Sequence, residues 1–256
     1  MGVRYTACIL CAAVLLGSCS EPHASESSAN AKLTVAAAAN LMDVFGEAGR
    51  AFQAKTGVEA IFSYGSTAQL ATQIENGAPF DVFAAADTEH VDSLVAARKL
   101  TSDSRAIYAL GQLALWIPEG GPSGFQGLKD LAGPEIRFVA IAEPDLAPYG
   151  QATVEVLKGE GLWDAVRPKL VYGTSISMAK QFAASGSANA AFTAYSLVLH
   201  EKGKVLKIDP HLYKPIEQAL GIVAASSHLG EAKQFRSFLL GPEGRTILGN
   251  SGYLLP

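Results

Sequence analysis

The stretch LTVAAAANLMDVFGEAGRAF, residues 33–52, decides the fold of this protein. Residues 33–38 form a largely apolar run with the length of a buried β-strand. After Asn40 the apolar residues recur at helical spacing, and one helix face would carry Leu41, Val44, Phe45, Ala48 and Phe52. Gly57 is placed to end that helix, because glycine readily adopts the left-handed conformation found there. The stretch therefore predicts a strand that passes through Asn40 into a helix, which is the unit of α/β folds.

The same alternation of short apolar runs and helical periodicity continues along the chain in two groups. The further strand-like segments are 58–63, 82–86, 113–117, 138–142, 170–172, 190–193 and 220–224. The chain is expected to cross between two lobes near residue 111 and to return near 216–222. We predict an α/β fold in which 33–111 plus 222–256 form lobe 1 and 112–221 form lobe 2. A two-crossing hinge would join the lobes, and a ligand cleft would lie between them.

The composition favours a folded body that binds a small ligand. The 256 residues are 49% hydrophobic and 17% charged, which excludes a wholly disordered chain. The formal net charge is −4, so the chain lacks the positive excess that a nucleic-acid-binding protein uses against phosphates. No stretch of the body approaches the ~18 apolar residues that a transmembrane helix needs.

The N-terminal segment predicts export. Arg4 is the only charged residue before Glu21, and residues 7–16 form an apolar run typical of a secretory signal peptide. The run ends in LGSC, residues 16–19, which resembles the lipobox of bacterial lipoproteins. This predicts a signal peptide over 1–19, a lipid on Cys19 and a flexible tether over 20–32; the alternative is an ordinary signal peptide cleaved after Ala31. All three cysteines lie before residue 20, so the body can hold neither a disulfide nor a Cys-ligated metal.

Four predicted turns between strands and helices are candidates for a ligand site. They are Ala39-Asn40, YGST at 64–67, PYG at 148–150 and TSI at 174–176. Ligands of open α/β sheets collect at the carboxyl ends of strands, where helix N-termini offer unpaired N–H groups and a positive dipole end. None of the four turns contains Lys or Arg. The sequence therefore predicts a small oxyanion held by neutral donors, although each turn taken singly is also explained by ordinary helix capping.

An ordered set of segments carries a family resemblance over nearly all of 33–256. The segments are LTVAAAANL at 33–41, YGST at 64–67 with Leu70, Gln73 and Ile74, GAPFDVFAAAD at 77–87, GQLALW at 111–116, IAEP at 141–144, APYG at 147–150, 186–194, GPE at 241–243 and Gly252-Tyr253. Together they resemble the periplasmic molybdate-binding proteins of ABC importers. The resemblance implies a type II periplasmic binding protein. A monomer is the default expectation, and no cofactor is expected. Such a protein would capture molybdate, and tungstate as well, and deliver it to an ABC permease.

Carried over by position, the resemblance also implies a set of site residues: Ala39, Asn40, Ser66, Thr67, Tyr149 and Ile176. Ile176 would contribute its backbone N–H, Tyr149 its phenol, and either Ser66 or Thr67 its hydroxyl. Many members have Ser in place of Asn40, a small residue in place of Tyr149, and a further Tyr near Ala194. Ala194 is therefore not expected to be a donor here, and a role for Tyr195 stays open.

Two other classes of function, besides binding of a different anion, compete with this interpretation. A ferric-ion-binding protein would use tyrosines such as Tyr64 and Tyr149, but a hard cation also favours carboxylates or imidazoles, and the four turns contain none. An exported hydrolase would need an activated nucleophile, yet Ser66 and Ser175 lie outside any Gly-x-Ser-x-Gly elbow. The protein is therefore predicted to be a binding protein and not an enzyme.

Overall fold

A computed structural model describes residues 1–3, 31–122 and 124–256. The predicted signal peptide, the lipid site at Cys19 and most of the predicted tether lie outside the described residues. At the end of that tether Lys32 already begins the first strand, and the Ala31 carbonyl accepts a hydrogen bond of 2.9 Å from the Glu59 N–H. Residues 31 and 32 therefore belong to the sheet and not to the tether.

The described chain alternates strands and helices through most of its length. The strands are Lys32–Ala38 (β1), Glu59–Gly65 (β2), Val82–Ala84 (β3), Ala106–Gly111 (β4), Leu113–Ile117 (β5), Val139–Ala142 (β6), Leu170–Gly173 (β7), Ala190–Ala194 (β8), Lys204–Lys207 (β9) and Ile216–Ile222 (β10). The α-helices are Met42–Thr56 (α1), Thr67–Glu75 (α2), Glu89–Ala96 (α3), Pro148–Gly159 (α4), Trp163–Val166 (α5), Ile176–Ala184 (α6), Leu229–Leu240 (α7) and Pro242–Asn250 (α8). Short 3-10 helices include Ala39–Leu41 and Tyr195–Leu197. No helix in the described ranges is long and apolar enough to cross a membrane.

The strands form two five-stranded sheets of matching topology. The first has the order β2-β1-β3-β10-β4 and the second β7-β6-β8-β5-β9. In each sheet three adjacent strands are parallel to one another. The fourth strand, β10 or β5, arrives from the other half of the chain and runs antiparallel both to the third strand and to the fifth, which forms the edge. The predicted α/β fold is therefore confirmed, and its two halves are built on one plan.

The stretch that opens the body folds as its pattern predicts. β1 lies between β2 and β3 in the first sheet, and five of its seven residues are buried, as expected for a central parallel strand. α1 buries Val44, Phe45, Ala48 and Phe52, and Gly57 ends it with a φ of 76°. Phe235 of α7 packs on Phe45 and Phe52 at centroid distances of 5.9 and 5.2 Å, and these rings tie the C-terminal helices to this lobe.

The second hinge crossing lies at the start of the predicted interval, and the predicted boundary between the lobes is wrong. Residues 216–222 form β10, which pairs with β3 and β4, so 216–221 lie in the sheet of lobe 1 and not in lobe 2. The strand predicted at 220–224 is displaced because Glu217 and Gln218 interrupt the apolar pattern. Gln218 is nevertheless fully buried, and the register shifts between it and Ala219. Tertiary hydrogen bonds therefore accommodate a polar side chain that a pattern of apolar residues cannot place inside a strand.

Other differences are confined to element ends and to short or late elements. β2 extends through Tyr64 and Gly65, which were predicted as part of a turn, and β3 ends at Ala84 rather than at residue 86. β4, β9 and the two C-terminal helices were not predicted. β9 lies at a sheet edge with an exposed lysine at each end, and such a strand shows little alternation for a pattern to detect.

A buried carboxylate at the start of β3 connects this strand to β1 and to the segment that follows β10. Asp81 precedes β3 and is only 4% exposed. It accepts hydrogen bonds from the N–H and hydroxyl of Thr34 at 2.7 and 2.8 Å, from Ser226 Oγ at 2.7 Å and from His228 Nδ1 at 3.1 Å. Burial by itself raises the pKa of Asp81, but the bonds from Ser226, Thr34 and His228 outweigh burial and leave the pKa below its usual value of 3.8. The ionised carboxylate therefore stabilises the folded state.

We expect Asp81→Asn to lower the free energy of unfolding at pH 7 by ~1–3 kcal/mol, because an amide cannot accept this set of donors. A group whose folded pKa is depressed contributes stability above its unfolded pKa and loses it as pH falls through the folded value. The difference in free energy of unfolding between wild type and variant should thus become smaller below pH ~4. Denaturant melts from pH 7 to pH 3 measure this, and a difference that stays constant with pH contradicts the assignment.

Candidate functional site

A small cavity lies between the two lobes at the carboxyl ends of their parallel strands. Lobe 1 lines it with Ala38, Ala39, Asn40, Gly65, Ser66, Thr67 and Ala86, and lobe 2 with Ala147, Pro148, Tyr149 and Ile176. Its volume is about 10 Å³, close to the smallest space that holds one water molecule. No lining residue carries a charge. The six residues implied by the resemblance therefore come together here, while their role as ligands stays a prediction.

Three helices begin at this cavity, and their first turns supply unpaired donors. Thr67 begins α2, Tyr149 is the second residue of α4 and Ile176 begins α6. First-turn N–H groups have no acceptor within their own helix. In the described part of the chain these three N–H groups have no other acceptor either. Donors of both lobes and the positive ends of three helix dipoles thus converge on one small volume.

Ser66 and Thr67 present their hydroxyls differently. Ser66 caps α2 by accepting a long hydrogen bond of 3.4 Å from the Gln69 N–H. Thr67 Oγ1 accepts a hydrogen bond of 3.1 Å from the Ala86 N–H, a buried contact that holds it against the end of β3. Both side chains are buried, at 3% and 1% exposure. Both hydroxyls accept in these bonds, so each keeps its own proton to donate, and the longer bond leaves the Ser66 hydroxyl the less constrained of the two.

Asn40 lies almost fully buried at the junction of β1 and α1. Its Nδ2 donates to Gln218 Oε1 and to the Tyr253 hydroxyl, both at 2.9 Å. The Tyr253 hydroxyl in turn donates to the Asn40 carbonyl at 2.8 Å, and Ser196 Oγ of lobe 2 lies 3.2 Å from the same carbonyl. Asn40 Oδ1, by contrast, is buried and has no hydrogen-bond partner in the described chain. The amide is therefore held at one end only.

The Tyr149 phenol lies against the hinge. Its hydroxyl oxygen accepts a hydrogen bond of 3.0 Å from Gln218 Nε2. A Cβ at Gly111, the last residue before the first crossing, would overlap that hydroxyl, so only glycine allows this approach. Burial, and secondarily the nearby Tyr253, raises the pKa of Tyr149 well above its usual value, which keeps the phenol protonated at neutral pH. The structure shows the Tyr149 hydroxyl in contact with Gln218, whereas the family resemblance implies a contact between this hydroxyl and the ligand.

Sequence reasoning missed the second layer of the site. Gln218, Tyr108 and Tyr253 are buried and form one hydrogen-bonded network with Asn40 and Tyr149. The signals in the sequence were the polar pair Glu217-Gln218 inside an apolar run and the Gly252-Tyr253 segment of the resemblance. Ala194 and Tyr195 are absent from the cavity lining, and the Tyr195 ring packs instead under Lys207, whose Nζ lies 4.5 Å from the ring centroid.

The lining chemistry also bears on the competing functions. The cavity offers one phenol, with no carboxylate and no imidazole, which is not the donor set that a hard cation favours. In the described ranges no group of three or more His, Cys, Asp or Glu residues is placed to hold a metal ion. Ser175, considered above as a nucleophile, caps α6 by accepting from the Met178 N–H at 3.2 Å and lies 3.0 Å from Ser177 Oγ. The hydrogen bonds of Ser66 and Ser175 include none with a histidine.

Comparison with known proteins places the chain in a family. Residues 33–254 match the family described as "Bacterial extracellular solute-binding protein". The chain belongs to this family. Among similar proteins, the molybdate-binding protein ModA of Rhodobacter capsulatus is 36% identical over 224 residues, which cover 87% of this chain and 88% of that protein. ModA of Azotobacter vinelandii is also 36% identical, over 87% of this chain and 90% of that protein.

A solved structure agrees with this. The Azotobacter vinelandii periplasmic molybdate-binding protein superposes with a TM-score of 0.83 at 32% identity and covers 88% of this chain and 99% of that one. These relatives confirm the family resemblance seen in the sequence. They are binding proteins, so the prediction that this solute-binding chain is not an enzyme is confirmed as well.

The close approach of α4 to the cavity depends on Gly150. A Cβ there would overlap the carbonyl oxygen of Ala142 at the end of β6, whereas a Cβ at Gly159, in the same helix, meets nothing within 4 Å. We expect Gly150→Ala to destabilise the protein by ~1–3 kcal/mol, because the start of α4 must move. Gly159→Ala is the matched control, and it should be neutral or stabilising by up to ~1 kcal/mol. Thermal melts of both variants check this, and equal melting temperatures contradict the packing described.

Proposed function

We propose that this protein captures molybdate outside the cytoplasm and delivers it to an ABC permease. The observation that carries the proposal is the cavity itself, where unpaired N–H donors of three helix starts surround a small volume without any charged side chain. The molybdate-binding relatives, similar over most of the chain, support the choice of ligand. A small dianion is the ligand whose chemistry matches such donors.

The anion would be held from both lobes. Lobe 1 would contribute the Ser66 hydroxyl, the Thr67 N–H and the Asn40 amide, and lobe 2 the N–H groups of Tyr149 and Ile176. We assign the hydroxyl contact to Ser66, because its Oγ is held only by the long 3.4 Å bond from the Gln69 N–H, whereas a shorter, buried bond of 3.1 Å fixes Thr67 Oγ1. Charge-assisted hydrogen bonds contribute roughly 1.5–3 kcal/mol each, so several of them can replace the strong hydration of a dianion.

Size would select among oxyanions of equal charge. Ala39, Tyr149 and Ile176 are buried parts of the wall and limit the cavity. Tungstate has nearly the same size and charge as molybdate and is proposed as a second ligand, whereas sulfate would make fewer simultaneous contacts. The Ala68 N–H of lobe 1 donates to the Leu146 carbonyl of lobe 2 at 3.2 Å beside the cavity, so the lobes are closed in this arrangement.

The remaining parts of the proposal concern location and partners. The LGSC stretch at 16–19 after an apolar run supports lipid attachment at Cys19, which would keep the binding body near the permease. We propose that the protein acts as a monomer, which is the default expectation for such a body. The permease would bind the exposed surfaces of the two lobes, and no cofactor is proposed.

A melting panel with molybdate, tungstate, sulfate and phosphate tests the function. A ligand present at ~100 times its Kd adds ~2.7 kcal/mol to the free energy of unfolding. We expect molybdate and tungstate to raise the melting temperature, and sulfate and phosphate to have little effect at the same concentration. A panel without a molybdate or tungstate shift rejects the proposal, and a shift with sulfate alone assigns the site to a different anion.

The hydroxyl assignment is tested by Ser66→Ala. Loss of one charge-assisted hydrogen bond should weaken molybdate binding by ~1.5–3 kcal/mol in calorimetry. Ser175→Ala is the matched control, because Ser175 caps α6 as Ser66 caps α2 but does not line the cavity. If both variants bind as wild type does, Ser66 is not a ligand; if both are weakened equally, capping and not contact explains the loss.

A further inference from the structure

One side chain links the proposed anion site to the hinge. Gln218 lies fully buried on β10, the strand that returns from lobe 2. Its Oε1 accepts hydrogen bonds from Asn40 Nδ2 at 2.9 Å and from the Tyr108 hydroxyl at 3.1 Å, and its Nε2 donates to the Tyr149 hydroxyl at 3.0 Å. Asn40 and Tyr108 belong to lobe 1, whereas Tyr149 belongs to lobe 2. The Gln218 amide therefore joins a residue of the proposed site in each lobe.

The polarity of this network conflicts with an anion in the cavity. Asn40 lines the cavity, and its buried Oδ1 has no partner in the described chain. Its Nδ2, the end that an anion would need, is occupied by Gln218 and Tyr253. A carbonyl oxygen beside an oxyanion is repulsive, and a buried polar atom without a partner is costly. The arrangement is therefore favourable for neither the network nor the anion.

Flipping both side-chain amides exchanges the places of oxygen and nitrogen in each and removes the conflict. The other heavy atoms stay where they are, since the two ends of a carboxamide have nearly the same shape. Gln218 Nε2 then donates to Asn40 Oδ1 and to the Tyr108 hydroxyl, which continues to donate to the Ala85 carbonyl at 2.9 Å. The Tyr149 hydroxyl, a protonated phenol, donates to Gln218 Oε1.

Both hydrogens of Asn40 Nδ2 become free. The Tyr253 hydroxyl turns its proton from the Asn40 carbonyl to Asn40 Oδ1, and Ser196 Oγ keeps donating to that carbonyl at 3.2 Å. Each buried group then finds a partner once an anion accepts from Asn40.

We propose that Gln218 is a positioning residue for the anion site, and that ligand binding flips the coupled side-chain amides of Asn40 and Gln218. This rests on the proposed function. In the flipped state Gln218 Nε2 donates to Asn40 Oδ1, so that Asn40 Nδ2 faces the anion. The Tyr149 hydroxyl is the donor that this state needs from lobe 2, so the favourable polarity is completed only when the lobes are closed. The phenol thus acts through Gln218, and Tyr149 touches the anion through its backbone N–H.

Calorimetry with molybdate on the full chain tests this with a double-mutant cycle. Gln218→Met keeps the side-chain length and removes the amide, and Tyr149→Phe removes the hydroxyl but keeps the backbone N–H. We expect each single variant to bind about tenfold more weakly and the double variant hardly more weakly than either. Gln112→Met is the control, because Gln112 lies at the hinge but donates to the Gly252 carbonyl at 2.7 Å, outside this network.

Three results overturn the proposal: Gln218→Met binding as tightly as wild type, losses that multiply in the double variant, or an equal loss in the Gln112 control. A second measurement needs no variant in the network. In ¹⁵N spectra of the wild-type protein, molybdate should shift the side-chain amide signals of both Asn40 and Gln218 and leave that of Gln112 in place. An unmoved Gln218 signal during saturation also overturns the proposal. Failure of the wild type to bind molybdate at all rejects the proposed function instead.

Discussion

The first-turn N–H groups of a helix cannot bond within that helix, and the site depends on this constraint. In most helices a cap or solvent satisfies them. Here the starts of α2, α4 and α6 are brought together in a closed space where few protein acceptors are available. The resulting field is positive without any cation, because the donors and helix dipoles are fixed and shielded from water. An acidic protein can therefore present an anion site, since local dipoles and not the net charge act on the ligand.

The two sheets place those helix starts opposite each other. Each sheet holds three parallel strands whose carboxyl ends lead into helices, and each receives one antiparallel strand from across the hinge. β5 and β10 are those exchanged strands, and β10 carries Gln218 into the layer behind the cavity. Gly111 allows Tyr149 and Gln218 to meet there. Hinge and site are thus built from the same few residues.

Local patterns predicted the parts of the fold that depend on local interactions. The β1 to α1 unit, the helix end at Gly57 and the bounds of β5 follow from burial periodicity and glycine conformation, which a short window contains. β10 was misplaced because its buried amide is stabilised by Asn40, Tyr108 and Tyr149, which lie far away in sequence. β9 escaped prediction because an edge strand with terminal lysines has little apolar alternation.

The sequence by itself determined the α/β class, the donor-bearing turns and the absence of Lys and Arg from them, because these depend on residue type and local spacing. It also carried the family resemblance that named the six candidate positions. Only the tertiary structure decided that these positions share one cavity, that Thr67 Oγ1 is held by the Ala86 N–H, and that the Tyr149 phenol contacts Gln218. The physical reason is that a buried hydrogen bond between distant segments depends on angles and distances fixed by the packing of both lobes. No short window of sequence contains that information.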